Sequence, residues 1–465
     1  MLRLTPFEEY MLLDNHPVYP MSCFVIFRLR GECNRQFLRE SVSATLLRHP
    51  LLACSVEETA RGEFYWKPND HPNVLTFADP SEKIENSFTP PFSVRGIDLF
   101  HEPAIKLTLW TADKETEDDL ESPIPHVSAR PQKAAETFLF VEVHHSATDA
   151  AGAFLFLKDL LTEYAVRSGA IPQDTPRHSF DPTLLEQRGK YGRTFGTALR
   201  TLPQQLWGLT RAWKFLMNRP LPLVPFKPNL RKGEPAKGFP TLLFKEFNEA
   251  DTQRIRARGK KQGVTINDLL LQATFSAMET CRQRWNIRLE HSSGQLRLAV
   301  ATDLRTPALA DISAANIVSM VFLDRKPKNI RNDDTFLHGI HREMAHIKRC
   351  NLGLAFIHGL TIYKKLFGDF RKMIDQNRCW TTGTVSNLGP LFVDAPFLAT
   401  EEKHLRIGDM ELINIYAVPP IRPQSVFGAC LSTYAGRLSL TFQYDTEALT
   451  RQQARELFDA LHFLE

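Results

Sequence analysis

Two adjacent histidines and an aspartate, His144, His145 and Asp149, have types and spacing that indicate acid–base chemistry. A histidine near its usual pKa of about 6.5 can take a proton from a hydroxyl or an amine at neutral pH. Adjacent residues of a strand point to opposite faces, so both rings cannot face one substrate if the strand continues through them. We therefore expect one ring to be structural and the other functional.

Two elements must position this motif. A strand is predicted over 137–143, where the nearly continuous apolar run is typical of a sheet interior. A helix is predicted through Phe154 and Tyr164 to a stop at Gly169. Asp149, between them, could fix the loop by an ion pair or cap the helix. A buried, hydrogen-bonded histidine pair is the purely structural alternative, and a metal site is disfavoured because no third ligand stands at a recognisable spacing.

The composition of the 465 residues is that of a soluble globular protein of two to three domains. A net charge of +4 is small for this length, so no nucleic-acid partner is implied. The seven scattered cysteines lack a C-x-x-C pair and indicate reduced thiols. No apolar run of about 18 residues and no signal-peptide pattern is found. We expect a cytoplasmic monomer.

A basic, proline-rich segment over 187–240 separates two parts that each mix strands and helices. This pattern predicts an N-terminal domain over 1–186, a connector, and a C-terminal domain over 241–465. The connector could pack on its own domain as an amphipathic helix. Its 188–219 stretch could instead contact a membrane surface, or its cations could attract an acyl carrier protein or the phosphates of coenzyme A.

Local signals predict further elements of this two-domain α/β (α+β two-layer) sandwich. A helix begins after Asn34, and another after Thr265, each of which is a typical N-cap. Strands are predicted over 296–302, 317–323 and 380–385, a hairpin turn at 435–436, and a final helix with a capping box of Thr450 and Gln453.

Six separate patches of the sequence carry a resemblance. They are 4–13, 46–52, 144–149, 263–270, 302–305 with Asn316, and 384–389. Their order along the chain resembles the chloramphenicol-acetyltransferase-like superfamily. Within it, the sequence most resembles the stand-alone condensation-type acyltransferases: polyketide-associated acyltransferases, alcohol O-acetyltransferases, wax ester synthases and peptide-synthetase condensation domains. The resemblance implies two similar domains with an active-site tunnel between them.

The resemblance also implies roles for residues of the motif, which is similar to the family's His-His-x-x-x-Asp-Gly. His145 would be the general base and His144 would be structural. Asp149 would pair with Arg305 of the second domain and hold the loop. One departure is Ala150 in place of the motif glycine, which would cost about 1 kcal/mol if the position needed a positive φ.

Ser386 and Asn387 follow the strand predicted over 380–385, in a loop that resembles one lining the family's tunnel. A hydroxyl or amide there could stabilise the oxyanion of a tetrahedral intermediate. The alternative is a simple turn.

The function implied is direct acyl transfer from a thioester to an alcohol or amine acceptor, without a protein nucleophile, metal or bound cofactor. The co-substrate would be acyl-CoA or a phosphopantetheine thioester on a separate carrier protein. Because the sequence contains no carrier segment, we expect the thioester to arrive in trans on one of these two donors. Acyl-CoA is favoured, because stand-alone relatives commonly use it. The alternative is a non-catalytic docking or lipid-binding module with the same fold.

Overall fold

The computed structural model describes residues 2–70, 72–78, 94–111, 136–191, 220–225, 239–287, 294–374 and 378–462. The helices are α1 (Pro6–Asp14), α2 (Arg35–Leu46), α3 (Ala150–Arg167), α4 (Pro182–Gln187), α5 (Glu249–Gln262), α6 (Ile266–Arg284), α7 (Asp334–Arg349), α8 (Gly353–Phe367), α9 (Arg371–Ile374) and α10 (Arg451–Asp459). The strands of the first half are β1 (Leu2–Arg3), β2 (Ser22–Arg30), β3 (Cys54–Glu58), β4 (Phe64–Pro68), β5 (Leu75–Phe77), β6 (Ile105–Thr111) and β7 (Glu136–His144). Those of the second half are β8 (Leu242–Glu246), β9 (Leu296–Asp303), β10 (Val318–Arg325), β11 (Gly383–Pro390), β12 (Leu405–Ile407), β13 (Met410–Val418), β14 (Phe427–Tyr434) and β15 (Arg437–Tyr444).

The N-terminal sheet has the strand order β12-β13-β2-β7-β6-β5 and carries the histidine motif at the end of its central strand. On β7, Val141 and Val143 belong to the core that α3 also enters, whereas Phe138 and Phe140 belong to a second cluster on the opposite face. Both faces of β7 are therefore buried. This explains why its sequence is nearly continuously apolar rather than alternating.

The C-terminal sheet has the order β10-β9-β11-β14-β15-β8, with β11 parallel to both of its neighbours. Helices α6, α7 and α10 share one hydrophobic core with this sheet. Helix α8 lies on the opposite face, because Ala299, Met320 and Phe322 of the sheet line one cavity together with Phe356 and Leu360 of α8. A small third sheet has the order β1-β4-β3.

Strands β12 and β13 cross from the second half of the sequence into the N-terminal sheet. Strand β13 pairs antiparallel with β2, from Glu411 opposite Arg30 to Val418 opposite Phe24. This pairing satisfies the edge of β2 that β7 leaves free, and an unpaired edge is a site of unwanted association. The predicted division into domains over 1–186 and 241–465 assigned β12 and β13 to the C-terminal domain, whereas both strands lie in the N-terminal sheet.

The locally encoded elements agree with the sequence predictions. Asn34 accepts hydrogen bonds from the first turn of α2, and Thr265 and Thr450 form capping boxes at α6 and α10. Ala435 and Gly436 join β14 to β15 and both have positive φ, as a tight hairpin turn requires.

Most of the predicted connector over 187–240 lies outside the described residues. Two of its cations are described. Lys190 is exposed, whereas Arg188 is 3% exposed and its Nε lies 2.7 Å from Glu8. Its guanidinium therefore stabilises the N-terminal domain and is not available to a membrane or a carrier protein. Among the helices in the described ranges, none is both long and apolar enough to span a bilayer.

Candidate active site

The motif lies where β7 ends and α3 begins. The backbone N–H of His144 donates to the carbonyl of Ala104 at 2.9 Å, and that of His145 donates to Met21 at 2.7 Å. These bonds connect the end of β7 to the residues that precede its two neighbouring strands, β6 and β2. After the turn, Asp149 caps α3 by accepting from the N–H of Gly152, three residues further on, at 2.9 Å.

His144 is completely buried and is not among the residues that line a cavity around the motif. Its Nδ1 accepts from the N–H of Ser146 at 3.2 Å. Burial lowers the pKa of His144 to about 3, so the ring is neutral in the folded protein at pH 7.

His145 is half-buried and lines a cavity of about 130 Å³, which we call the central cavity. The side-chain amide of Asn316, from the second half of the chain, donates to the carbonyl of His145 at 2.6 Å and fixes the backbone there. Desolvation lowers the pKa of His145, while backbone carbonyls and the Asp149 carboxylate oppose that shift. The ring is therefore neutral at pH 7 and able to accept a proton.

Asp149 serves both as a helix cap and as an ion-pair partner, the two roles that its position allowed. It is 3% exposed, and its two oxygens lie 2.8 and 2.9 Å from the two terminal nitrogens of Arg305. Its Oδ2 also accepts from the N–H of Ile317 at 2.7 Å. Arg305 makes further bonds to Asp303 at 3.1 Å and to the carbonyl of Ala315 at 3.2 Å. One carboxylate thus joins the motif loop to the segment before β10.

The substitution of the motif glycine by Ala150 introduces no backbone strain. Ala150 is the first residue of α3 and does not have a positive φ. The position that requires glycine is Gly152, where a Cβ would lie 2.2 Å from Oγ1 of Thr148 and 3.0 Å from the backbone nitrogen of Ala315. The close approach of the two halves of the chain occurs there.

Ser386 and Asn387 lie within β11, so the prediction of a loop at these residues was wrong. The strand continues past them because it pairs with β14 as far as Pro390, with an irregularity in register after Asn387. Ser386 is half-buried and lines the central cavity together with His145. Asn387 is exposed, and its side chain accepts from the N–H of Gly389 at 3.0 Å, outside the central cavity.

A histidine outside the motif, His49, supports the site from a distance, and the sequence analysis did not predict this role. Nδ1 of His49 accepts from the N–H of Ala314 at 3.0 Å, and its Nε2 lies 3.0 Å from Asp159 of α3. These two bonds connect the segment that carries Asn316, through His49, to helix α3 of the N-terminal domain. The only sequence signal was the 46–52 patch, which gave no partner for His49.

Two further cavities adjoin the central one. The mouth cavity, of about 490 Å³, shares Asp149, Phe154 and Ser386 with it and includes the exposed side chain of Val393. The apolar chamber, of about 110 Å³, shares Tyr10 with it and shares no lining residue with the mouth cavity. The walls of the central cavity come from both sheets, so His145 lies in a passage between the two domains.

In the described ranges, no cluster of three His, Cys, Asp or Glu side chains could hold a metal ion.

Comparison with known proteins places this architecture. No family model matches the chain, and no curated protein is similar to it in sequence. Solved structures match it along nearly the whole length, among them the following three. The first condensation domain of the calcium-dependent antibiotic synthetase has a TM-score of 0.67 at 12% identity, covering 100% of this chain and 95% of that one. The starter condensation domain of rhizomide synthetase, in complex with C8-CoA, has a TM-score of 0.63 at 12% identity, with coverage of 99% and 91%. A trichothecene 15-O-acetyltransferase from Fusarium sporotrichioides has a TM-score of 0.62 at 12% identity, with coverage of 99% and 93%.

The chain therefore has the two-domain fold of these condensation domains and of this acetyltransferase. The fold expected from the sequence patches is confirmed. Because one fold supports different reactions, the function must be argued from the site.

Proposed function

We propose that this protein is an acyltransferase that moves an acyl group from a thioester to an alcohol or amine acceptor, with His145 as the general base. The observation that carries the proposal is the placement of a neutral histidine in a cavity lined by both sheets and joined to a larger mouth. A buried structural histidine would instead resemble His144, which is completely buried and lines none of the three cavities.

The transfer needs no protein nucleophile. The neutral ring of His145 takes the proton of the acceptor hydroxyl or amine as its oxygen or nitrogen attacks the thioester carbonyl. The tetrahedral intermediate then collapses, the carbon–sulfur bond breaks, and the protonated ring returns the proton to the leaving thiolate. The products are an ester or amide and a free thiol. Ser386, in the wall of the same cavity, is the candidate donor to the oxyanion.

Asp149 and Arg305 hold the base in place in this proposal and do not transfer protons. Both oxygens of Asp149 are engaged by Arg305 and by backbone N–H groups, which leaves the carboxylate without a free site for proton transfer. His144 supports the end of β7 in its neutral form.

Acyl-CoA is the proposed donor, with the acyl group of a separate carrier protein as the rival. The proposal is supported by the structural neighbour solved in complex with C8-CoA. The two donors are separated by offering the same acyl group on coenzyme A and on a panel of purified carrier proteins. A preference for a carrier by more than about tenfold in kcat/KM, or 1.4 kcal/mol, would overturn the choice of acyl-CoA.

The test of the activity is a thiol-release assay with a panel of acyl-CoA donors and simple alcohols and amines. We expect turnover by the wild-type protein and a 10²–10⁴-fold lower kcat for His145→Ala, with an unchanged melting temperature. The matched control is His101→Ala, which removes a histidine whose side chain is 80% exposed.

A well-folded His145→Ala variant with wild-type turnover would show that His145 is not the base. Absence of turnover with every donor and acceptor would favour the non-catalytic docking or lipid-binding module. Ala150 gives that alternative no support, since the residue is unstrained in α3.

A further inference from the structure

The apolar chamber beside the central cavity has no part in the acid–base chemistry. Its wall is formed by one face of the C-terminal sheet, by α8 and by the segment before β11. The side chains that enclose it are Phe322, Phe356, Leu360, Tyr363, Met373 and Trp380. Aromatic rings thus make up much of the wall, and they are held by contacts such as the edge-to-face pair of Phe322 and Phe356 at 5.4 Å.

Two polar side chains of this wall, Arg422 and Thr381, are held by hydrogen bonds to neighbouring residues. Arg422 donates to Tyr10 and, at 2.8 Å, to Asp14. Thr381 donates to Ser425 at 3.2 Å. A polar ligand would have to displace these bonds to pair with the hydroxyl of Thr381 or the terminal nitrogens of Arg422, whereas an apolar ligand would displace only poorly ordered water.

The size of the chamber suits an organic group. A single water needs about 10–15 Å³ of such volume, and an apolar cavity of about 150 Å³ binds benzene. At about 110 Å³, the chamber can take a single aromatic ring or a short alkyl chain.

The chamber is also placed to reach the reacting atoms. Tyr10, Met320, Thr384 and Arg422 line both the chamber and the central cavity that contains His145. A group bonded to the reacting centre could therefore extend past these residues into the chamber, whereas the mouth cavity is lined by none of the four.

We infer that the chamber binds an alkyl or single-ring aromatic group of the substrate and selects for it. The inference rests on the proposed function and adds the substrate class. The group could belong to the acyl donor or to the acceptor, since both meet at His145. The apolar chemistry is the same in the two cases.

Gly359 of α8 offers a way to fill the chamber without disturbing the fold. It lines the chamber, and a Cβ built at this position meets no atom within 4 Å. In a helix, leucine is favoured over glycine by somewhat less than 1 kcal/mol, so Gly359→Leu should not destabilise α8. The matched control is Gly339→Leu in α7, where a Cβ also meets nothing within 4 Å and which lines none of the three cavities.

The kinetic experiment has two arms. In the first, acetyl-, hexanoyl- and benzoyl-CoA are compared with one small acceptor. In the second, acetyl-CoA is compared with ethanol, hexanol and benzyl alcohol. We expect Gly359→Leu to lower kcat/KM at least tenfold for the larger groups in one arm and to leave acetyl transfer to ethanol unchanged. The arm that responds identifies the source of the group. Equal kcat/KM ratios in Gly359→Leu, Gly339→Leu and wild type would overturn the inference.

A binding measurement needs no turnover and separates this inference from the proposed function. Benzyl alcohol and hexanol are titrated against each protein by calorimetry. Saturable binding to wild type and Gly339→Leu, at least tenfold weaker in Gly359→Leu, is the expected result. Equal binding to all three proteins, or none to the wild type, would refute the chamber as a site, whether or not the protein transfers acyl groups.

Discussion

Replacement of Asp149 by asparagine tests the link between the motif loop and the second half of the chain. The carboxylate is 3% exposed and receives four hydrogen bonds. Its Oδ1 accepts from Gly152 and Arg305, and its Oδ2 accepts from Ile317 and Arg305. Whichever oxygen becomes the amide nitrogen of asparagine, one backbone N–H and one guanidinium N–H lose their acceptor.

The expected cost follows from these contacts. An unsatisfied buried donor costs about 1–3 kcal/mol, and removal of one partner of a buried ion pair costs about 3–5 kcal/mol. Arg305 is 18% exposed and keeps its bonds to Asp303 and Ala315, which soften the loss. We therefore expect the lower end, about 3 kcal/mol.

Urea unfolding followed by tryptophan fluorescence measures this loss. With a urea m value of about 2–3 kcal/mol/M, the unfolding midpoint of Asp149→Asn should be about 1 M urea lower than that of the wild type. The control is Asp303→Asn, which removes the other carboxylate bonded to Arg305, one whose side chain is 58% exposed. That change should lower the midpoint by no more than a few tenths molar, because an exposed pair contributes about 0–1 kcal/mol.

A double-mutant comparison sharpens the result. In an Arg305→Gln background, Asp149→Asn should lower the free energy of unfolding clearly less than in the wild type. The guanidinium charge with which Asp149 pairs is already absent there. If Asp149→Asn unfolds at the wild-type midpoint, or costs the same with and without Arg305, the ion pair does not hold the two halves together. The reasoning from the four contacts would then be wrong.

Three further outcomes are expected. Gly152→Ala should lower the free energy of unfolding by about 1–3 kcal/mol, because the new Cβ would lie 2.2 Å from Oγ1 of Thr148. The loss should appear as a lower melting temperature, and an unchanged melting curve would contradict it. Burial raises the pKa of Glu142 to about 7, so this group stabilises the fold at low pH and loses that contribution as the pH rises through 7. The melting temperature of Glu142→Gln should therefore exceed that of the wild type by more at pH 8 than at pH 5. An equal difference at the two pH values would refute this prediction. His49→Gln should speed amide hydrogen exchange at Ala314 and lower kcat, whereas His49→Asn, which keeps an acceptor at the δ position, should do neither; identical behaviour of the two variants would contradict the contact.

The local elements of the site were predictable because their signals are local. Strand β7 is encoded by its apolar run, and the start of α3 by Asp149, whose carboxylate caps the first turn three residues on. Capping and apolar patterning act within one turn or one strand, so the sequence carries them in a short window. The conformation of Ala150 was not predictable in the same way, because the sequence does not show whether a position needs a positive φ.

The choice between the two histidines illustrates the limit of such signals. The alternation of a strand predicts that His144 and His145 face opposite ways, but not which of them reaches a cavity. That depends on where the second sheet packs, and the structure places His145 in the central cavity. The loop predicted at Ser386 was wrong for a similar reason, since pairing with β14 extends β11 beyond its apolar part.

The sequence by itself determined the secondary structure around the motif, the residue types for acid–base chemistry and, through its ordered patches, the fold. Tertiary structure alone decided how distant parts meet. Arg305 reaches Asp149 across 156 residues, and Asn316 reaches His145 across 171. The exchange of β12 and β13 and the chamber beside Gly359 likewise have no local signal. Contacts over such separations arise when apolar faces pack and bring whole elements together, so their energy belongs to the assembled core and not to any short stretch of sequence.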